Sequence, residues 1–545
     1  MHGARVSVFL LFVVFMSAAG IASADLCSEP VDTEYGTIVG MDDDDTGTCA
    51  WLGIPYAAPP VGYLRWKAPQ PVPEWDGVRK ADSLGDRCVQ AGGIMSGSGP
   101  QGVGMSEDCL NLNIWKPAKS GVFPVMFWIH GGGYYTGGGN YPAYWGDRLA
   151  EAGDVIVVTI NYRLDIFGFM AHPKLREEDP NNSTGSYGTM DQAYALRWVK
   201  ENIENFGGDP DNITVFGQSA GGASVCSMIA TPLARGNFNK AIMHSGLCEL
   251  SRDLDFAYQV TEDAVKKLDC DYNDLDCLRG LPAEKIIKKA SSSMMDGFVY
   301  GPAHDGYVLT DTPLAMIEAG NYNRVDFMAG TVMDEFAKAL KLKPKYYYTC
   351  PRSYEKRLQK SFDMTGDEAE ELAELYPLDD FKGRPVEAMG RMFGADATMQ
   401  CPTHRGLLAI ADDGNKSWFY RFEYDSMKKG KYVGSFHTAE VPFVFDAFDR
   451  DPGPMFYKGM DLDKEEELSR IMQEYWTNFA KTGDPNGEGL PEWESFDPAD
   501  QYIQILDTGK IATEPVGIVE ERCQFWDEYR EEFLPYANEL IGKLF

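Results

Sequence analysis

The sequence predicts an α/β protein, in which a large, mostly parallel sheet is covered by helices on both faces and preceded by a short antiparallel region. From about residue 121, short runs that are apolar at every position alternate with helix-period stretches, as strands buried on both faces require. Residues 25–120 are instead turn-rich and alternate apolar with polar side chains, the pattern of half-buried antiparallel strands. One apolar run leads directly into Gly-x-Ser-x-Gly and a helical stretch at 213–229, a strand-turn-helix unit with a defined chemical use.

Taken in order, the first 24 residues stand apart. Arg5 precedes the apolar run Val6–Met16, and Ala18, Ala19, Ala22 and Ala24 follow. This is the pattern of a secretory signal cleaved after Ala24, since a membrane span needs about 20 apolar residues. The expected location is therefore outside the cytoplasm, secreted or periplasmic, with no membrane anchor. In 25–120, Trp51-Leu-Gly-Ile-Pro55 and Leu110-Asn-Leu-Asn-Ile-Trp115 are the clearest strand pieces. Beyond them, Val125–Ile129, Val155–Ile160, Ile213–Phe216, Ala241–His244, Val325–Ala329 and Trp418–Phe422 are the strand candidates. A helix is predicted from about Met190, with Leu196, Val199, Ile203 and Phe206 on one face and a stop at Gly207-Gly208. Residues 340–400 and 455–500 are charged and helical in flavour. No linker, composition break or internal repeat divides the chain, so residues 25–545 are expected to form one domain with helical insertions.

Composition excludes several functions. There are 83 acidic against 50 basic side chains, a formal charge of −33. Nucleic-acid binding and attachment to an anionic membrane both need the opposite balance. Export makes disulfides available to the eleven cysteines, whose odd number leaves at least one without a partner inside the chain. The spacing of Cys270 and Cys277 suits a short staple, and Cys27 with Cys49 brackets the first hairpin. Nothing has the spacing of a zinc site, and Asp42-Asp-Asp-Asp45 reads as a solvated turn. Asn181, Asn182, Asn212 and Asn415 open N-x-Ser/Thr sequons.

The chemistry centres on Gly217-Gln-Ser219-Ala-Gly221. So sharp a turn leaves no room for side chains two residues either side of Ser219, which becomes the candidate nucleophile. A serine needs a base. Seven histidines are present, and the serine, acid, histidine order of this elbow favours His404 or His437, with His304 usable if its acid precedes it. His437 lies in a loop before an apolar run. The orienting acid should follow a strand end, and after Val325–Ala329 either Asp334 or Glu335 could serve. A second motif, His130-Gly131-Gly132-Gly133 after the strand Val125–Ile129, can turn backbone N–H groups toward a developing oxyanion, together with the N–H of Ala220. The combination points to acyl transfer by a serine nucleophile.

Over essentially the whole mature length the chain resembles the type-B carboxylesterase/cholinesterase family of α/β-hydrolases. The resemblance rests on Leu52-Gly-Ile-Pro-Tyr-Ala-Ala-Pro-Pro60, Glu107-Asp-Cys-Leu-Asn-Leu-Asn113, Asn161-Tyr-Arg163, Asp191-Gln192, Phe206-Gly-Gly-Asp-Pro210 and the elbow. It implies the α/β-hydrolase fold and hydrolysis of carboxylic esters without metal or cofactor. It also implies Ser219 as nucleophile, Glu335 as acid, His437 as base, and Gly132, Gly133 and Ala220 as oxyanion donors. Phe336 departs from the small residue usual after the acid. The resemblance further implies disulfides Cys88–Cys109, Cys270–Cys277 and Cys401–Cys523, leaving Cys226, Cys248 and Cys350 unassigned. Cholinesterases hold a cation with a tryptophan in the loop closed by Cys88–Cys109 and carry glutamate before the serine. Here that loop has no aromatic residue and the position holds Gln218, which argues against cation recognition. Phe298 and Tyr300 fall in the family's acyl-pocket region and suggest short to medium acyl chains. Cholinesterase-like or lipase-like preferences are the alternatives, and a non-catalytic adhesion protein of the same fold is a more distant one. A homodimer contact through the C-terminal helical stretch is expected by the same analogy.

Overall fold

A computed structural model describes residues 27–43, 46–91, 102–291, 299–337, 351–362, 364–425, 427–428, 431–432, 434–450, 457 and 462–529. The expected signal segment, Phe298, Cys350, the middle of the Cys88–Cys109 loop and the C-terminal stretch expected to dimerise lie outside them.

Among the described residues, eleven strands form the main sheet: β1 (Met41–Asp43), β2 (Thr48–Pro55), β3 (Asn111–Pro117), β4 (Phe123–Ile129), β5 (Ile156–Ile160), β6 (Gly208–Gln218), β7 (Lys240–His244), β8 (Asp326–Val332), β9 (Ser417–Phe422), β10 (Tyr502–Asp507) and β11 (Lys510–Pro515). Their order across the sheet is β11-β10-β9-β8-β7-β6-β4-β5-β3-β2-β1. The strands from β5 to β10 in that order are parallel, while β1, β2 and β3 on one side and β11 on the other join antiparallel. This is the α/β-hydrolase architecture. Alternation explains why the central strands read as unbroken apolar runs. Val125, Phe127 and Ile129 of β4 point into one buried layer and Met126 and Trp128 into the other. In β8, Phe327 and Ala329 divide from Met328 and Val332 in the same way.

The helices that matter for the site are α1 (Tyr187–Asn202), α2 (Ala220–Ala230), α3 (Cys401–Asp412), α4 (Val441–Val444) and α5 (Asp463–Thr482). α1 follows the predicted face, and a 3₁₀ turn, Ile203–Phe206, completes it before Gly207. The charged region around 340–400 contributes Tyr354–Phe362, Gly366–Leu375 and Pro385–Arg391, then Met392–Gln400, wound as a π-helix that runs straight into α3. The helical expectation for 455–500 holds only through α5. Gly483, at φ +77°, ends that helix, and Asp484-Pro-Asn486 turns the chain through hydrogen bonds of its own.

The hairpin β10–β11 was not expected from the sequence. Its fully buried Gln504 interrupts the apolar pattern, yet it is paired with Tyr475 Oη and Thr513 Oγ1 at 3.3 and 2.6 Å. Among the described residues there are five disulfides, Cys27–Cys49, Cys88–Cys109, Cys226–Cys248, Cys270–Cys277 and Cys401–Cys523. Cys226–Cys248 joins two residues that sequence reasoning left unassigned and ties α2 to the segment after β7. Asp42 lies beside Cys27 and Cys49, but both sulfurs are consumed by their bridge and leave no thiolate for a metal. Among the described residues, no helix is long and apolar enough to cross a membrane.

Candidate active site

The site assembles where β4, β6, β7, β8 and β9 end. Ser219 sits between β6 and α2 at φ +61°, ψ −123°, a conformation that costs a non-glycine residue about 1–3 kcal/mol. Its neighbours account for the glycines. A Cβ on Gly217 would stand 2.5 Å from the carbonyl oxygen of Gly221, and one on Gly221 only 2.0 Å from that of Ile129. The turn is anchored by Ser219 N–H, which donates to the His244 carbonyl at 3.0 Å. Ser219 is partly exposed and makes no side-chain cap on α2.

The loops after β8 and β9 continue the pairing of their strands. Asp334 N–H donates to Ser435 O at 2.9 Å, and His437 N–H to Glu335 O at 3.2 Å. That zipper brings Glu335, and not Asp334, against the imidazole: His437 Nδ1 lies 2.5 Å from Glu335 Oε2. The other oxygen, Oε1, accepts Val332 N–H at 3.1 Å. Asp334 instead accepts Ser435 N–H at 3.0 Å and lies 3.8 Å from Arg391. Phe336 packs its ring on His437, with centroids 4.5 Å apart, and its N–H donates to Gly394 O of the π-helix at 2.7 Å. The substitution at this position is thus accommodated by a ring contact with the imidazole.

His437 Nε2 faces the side chain of Gln218, whose Nε2 lies 3.2 Å away. Among the described residues no hydrogen bond joins Ser219 Oγ to His437. The other candidate histidines lie elsewhere: His404, on α3, pairs with Gln501 Oε1 at 2.7 Å, and His304 with Ser251 Oγ at 2.6 Å.

The glycine loop lies against the elbow. A Cβ on Gly131 would come within 3.1 Å of Ser219 Cβ. Gly132 and Gly133 have φ of +111° and +66°, and among the described residues no acceptor is paired with their N–H groups. Ala220 opens α2, where the first N–H groups have no intrahelical acceptor. His130 is a buttress of this loop. It is buried, stacked on Tyr162 at 4.4 Å, and burial pushes its imidazole down to about 4. Tyr300 is buried, its hydroxyl turned toward the Ala290 carbonyl at 3.5 Å.

Sequence reasoning missed the groups behind the acid. Glu440, three residues after His437, is fully buried, and neither carboxyl oxygen has a hydrogen-bond partner among the described residues. Burial, with Glu335 nearby, pushes its carboxyl up to about 8. His244 Nδ1 lies 3.8 Å from it. Trp476 Nε1–H donates to His244 Nε2 at 3.0 Å, so the neutral ring carries its proton on Nδ1, 3.0 Å from Tyr420 Oη. Burial holds His244 down at about 3.

A serine on a sharp strand-to-helix turn at the carboxyl end of a parallel sheet, with an imidazole and a carboxylate paired at the neighbouring strand ends, accords with the α/β-hydrolase class. The chain belongs to the carboxylesterase family, which matches residues 28–526, and it is a carboxylic ester hydrolase. It is 36% identical to the para-nitrobenzyl esterase of Bacillus subtilis (strain 168), over 88% of this chain and 94% of that one. It is 33% identical to the human cocaine esterase, over 90% and 89%. Among solved structures, a PNB esterase superposes with a TM-score of 0.78 at 34% identity, covering 92% and 99% of the two chains. A carboxylesterase of Geobacillus stearothermophilus gives 0.78 at 33%, covering 91% and 100%.

Proposed function

We propose that the chain hydrolyses esters of short to medium acyl chains through an acyl-enzyme on Ser219, with His437 as general base and acid and Glu335 as the group that orients it. The contact of 2.5 Å between His437 Nδ1 and Glu335, within the same strand-end cluster as the elbow, carries this reading. Glu335 fixes the proton on Nδ1 and leaves the Nε2 lone pair to take the Ser219 proton as the hydroxyl attacks. The backbone N–H groups of Gly132, Gly133 and Ala220 hold the oxyanion of the tetrahedral intermediate. His437 then gives its proton to the leaving alcohol, and water repeats both steps on the acyl-enzyme. The charges that develop are met by backbone dipoles and the Glu335 carboxylate, so this sequence of steps calls for no cofactor.

Tyr300, and Phe298 before it, are assigned to the acyl side of the pocket by the family resemblance. The leader sequence and five disulfides support a protein exported to an oxidising compartment. Hydrolysis of a p-nitrophenyl series from acetate to palmitate, by wild type and Ser219→Ala, tests the reading. Wild type should prefer acetate to octanoate over palmitate, and Ser219→Ala should lose at least about 10³-fold in kcat. Equal rates for the two proteins would overturn the nucleophile. A palmitate optimum would make the enzyme a lipase, and a preference for a choline thioester a cholinesterase.

A further inference from the structure

We propose that Gln218 is a positioning residue that holds His437 between turnovers, donating its side-chain N–H to the imidazole Nε2 and yielding that lone pair to Ser219 when an ester binds. This rests on the reading of His437 as the base. Glu335 accepts from Nδ1 at 2.5 Å, so Nε2 of the neutral ring is an acceptor. The Gln218 atom facing it at 3.2 Å must then be the amide nitrogen. Gln218 is almost wholly buried, and its Oε1 packs over Gly131, where a Cβ would come within 3.1 Å. The amide is therefore a fixed donor aimed at the atom that must later take the Ser219 proton.

No covalent bond changes in this exchange. The Nε2 lone pair passes from Gln218 N–H to Ser219 O–H, and only then does a proton move. A donor on that lone pair favours the neutral ring over the imidazolium. A glutamate at the same place would accept from the imidazolium and stabilise it instead. Among the described residues, the charged or titratable group on the ring is Glu335 from the β8 loop, and behind it lie Glu440 at the start of α4, which feels the charge of Glu335, and, through Glu440, His244 of β7 and Tyr420 of β9. Asp334 is engaged by Ser435 N–H.

The test is the acidic midpoint of the kcat/KM profile for p-nitrophenyl acetate in wild type, Gln218→Met, Gln218→Asn and Gln218→Glu. Circular dichroism and Tm establish that each variant folds. Removing the donor in Q218M, or shortening it in Q218N, should raise the midpoint by about 0.5 to 1 pH unit. Q218E should raise it by about 1 to 3, the effect of an opposite charge within hydrogen-bond reach. The pH dependence of labelling by a fluorophosphonate, which needs only Ser219 and its base, gives the same ordering where turnover is too slow to follow. A purely structural Gln218 would change kcat/KM and leave the midpoint where it is. Unchanged midpoints in folded variants, or midpoints that fall, would overturn the proposal. Full activity in Ser219→Ala would instead overturn the reading on which it rests.

Discussion

Replacing Glu440 with glutamine should remove one pH-dependent loss of stability on the alkaline side. The carboxyl is fully buried, neither oxygen is paired among the described residues, and Glu335 lies close enough to repel its charge. Its ordinary value of 4.5 is raised to about 8. The folded protein therefore keeps this proton while the unfolded chain gives it up, and folding is favoured by acid. The stabilisation is complete below 4.5, declines as pH rises, and is lost once pH passes the folded value of about 8. At about 1.4 kcal/mol per pH unit, the span is worth about 5 kcal/mol, of which about 3 is gone by pH 7. An unfolding entropy of about 1 kcal/mol/K for a chain of this size turns 3 kcal/mol into about 3 °C. Glutamine has nearly the same shape and no charge at any pH. An unpaired amide costs the variant a constant offset, so the quantity to measure is the difference in Tm between wild type and Glu440→Gln at a fixed scan rate from pH 5 to 9. That difference should move in favour of the variant by about 3 to 5 °C between pH 5 and pH 8.5. Parallel curves would show that Glu440 does not hold a raised proton, and the description of a neutral acid behind the imidazole would fail.

Glu335→Gln keeps an acceptor near His437 Nδ1 but removes the charge and lets the amide present N–H instead, so kcat should fall by about 10³ to 10⁴ with little change in Tm; a loss below tenfold in p-nitrophenyl acetate turnover would refute its role. Eleven cysteines, ten of them paired among the described residues, leave one, and titration of the unfolded, unreduced protein should return one thiol per chain, whereas three would mean that one of the five bridges does not form. Closing a loop with a separation of 22 residues, that bridge should contribute about 3 kcal/mol, measured as the stability lost in the double alanine variant.

What the sequence discloses follows from the range of the interaction that encodes it. The elbow is legible because its constraint is local: Gly217 and Gly221 are set by carbonyl oxygens that a Cβ would strike, and any chain making this turn must omit the side chains. The central strands are legible because both faces are buried, which needs no knowledge of their neighbours. Among the polar motif residues, Arg163 forks onto Asp191 with two contacts of 2.7 Å, and Gln192 Nε2–H donates to Ser224 Oγ at 3.0 Å. These are buried polar groups that only a particular fold can satisfy, so they identify the family without revealing what they touch. Glu440 and His244 carry no local signature, because their meeting depends on β7 and β9 lying either side of β8. Gln218 was conspicuous as a departure in type, but its partner is 219 positions away, and spacing could not supply it. The π-helix is equally hidden. It lets Gly394 approach the backbone at Ala337, where a Cβ would be 2.5 Å from the nitrogen, a requirement made by the β8 loop and not by the helix.

The strained residues show how such a site is held together. Tyr134 after β4, Ser219 after β6, Ser245 after β7, Glu335 after β8 and Thr438 beside His437 all have positive φ, from +31° to +81°. At about 1–3 kcal/mol each, conformations like these persist only where the surroundings permit nothing else, and the first four follow the ends of the buried strands β4, β6, β7 and β8. The same rigidity decides the charges. Glu335 has a partner on each oxygen, while Glu440, with neither oxygen paired among the described residues, holds its proton up to about 8. Two buried acids repel each other when both are ionised, and burial together with Glu335 pushes the unpaired Glu440 up to about 8. The imidazole of His437 is thus held between the Glu335 carboxyl group on Nδ1 and the neutral amide of Gln218 at Nε2, the two contacts through which the proposed proton exchange with Ser219 is tested.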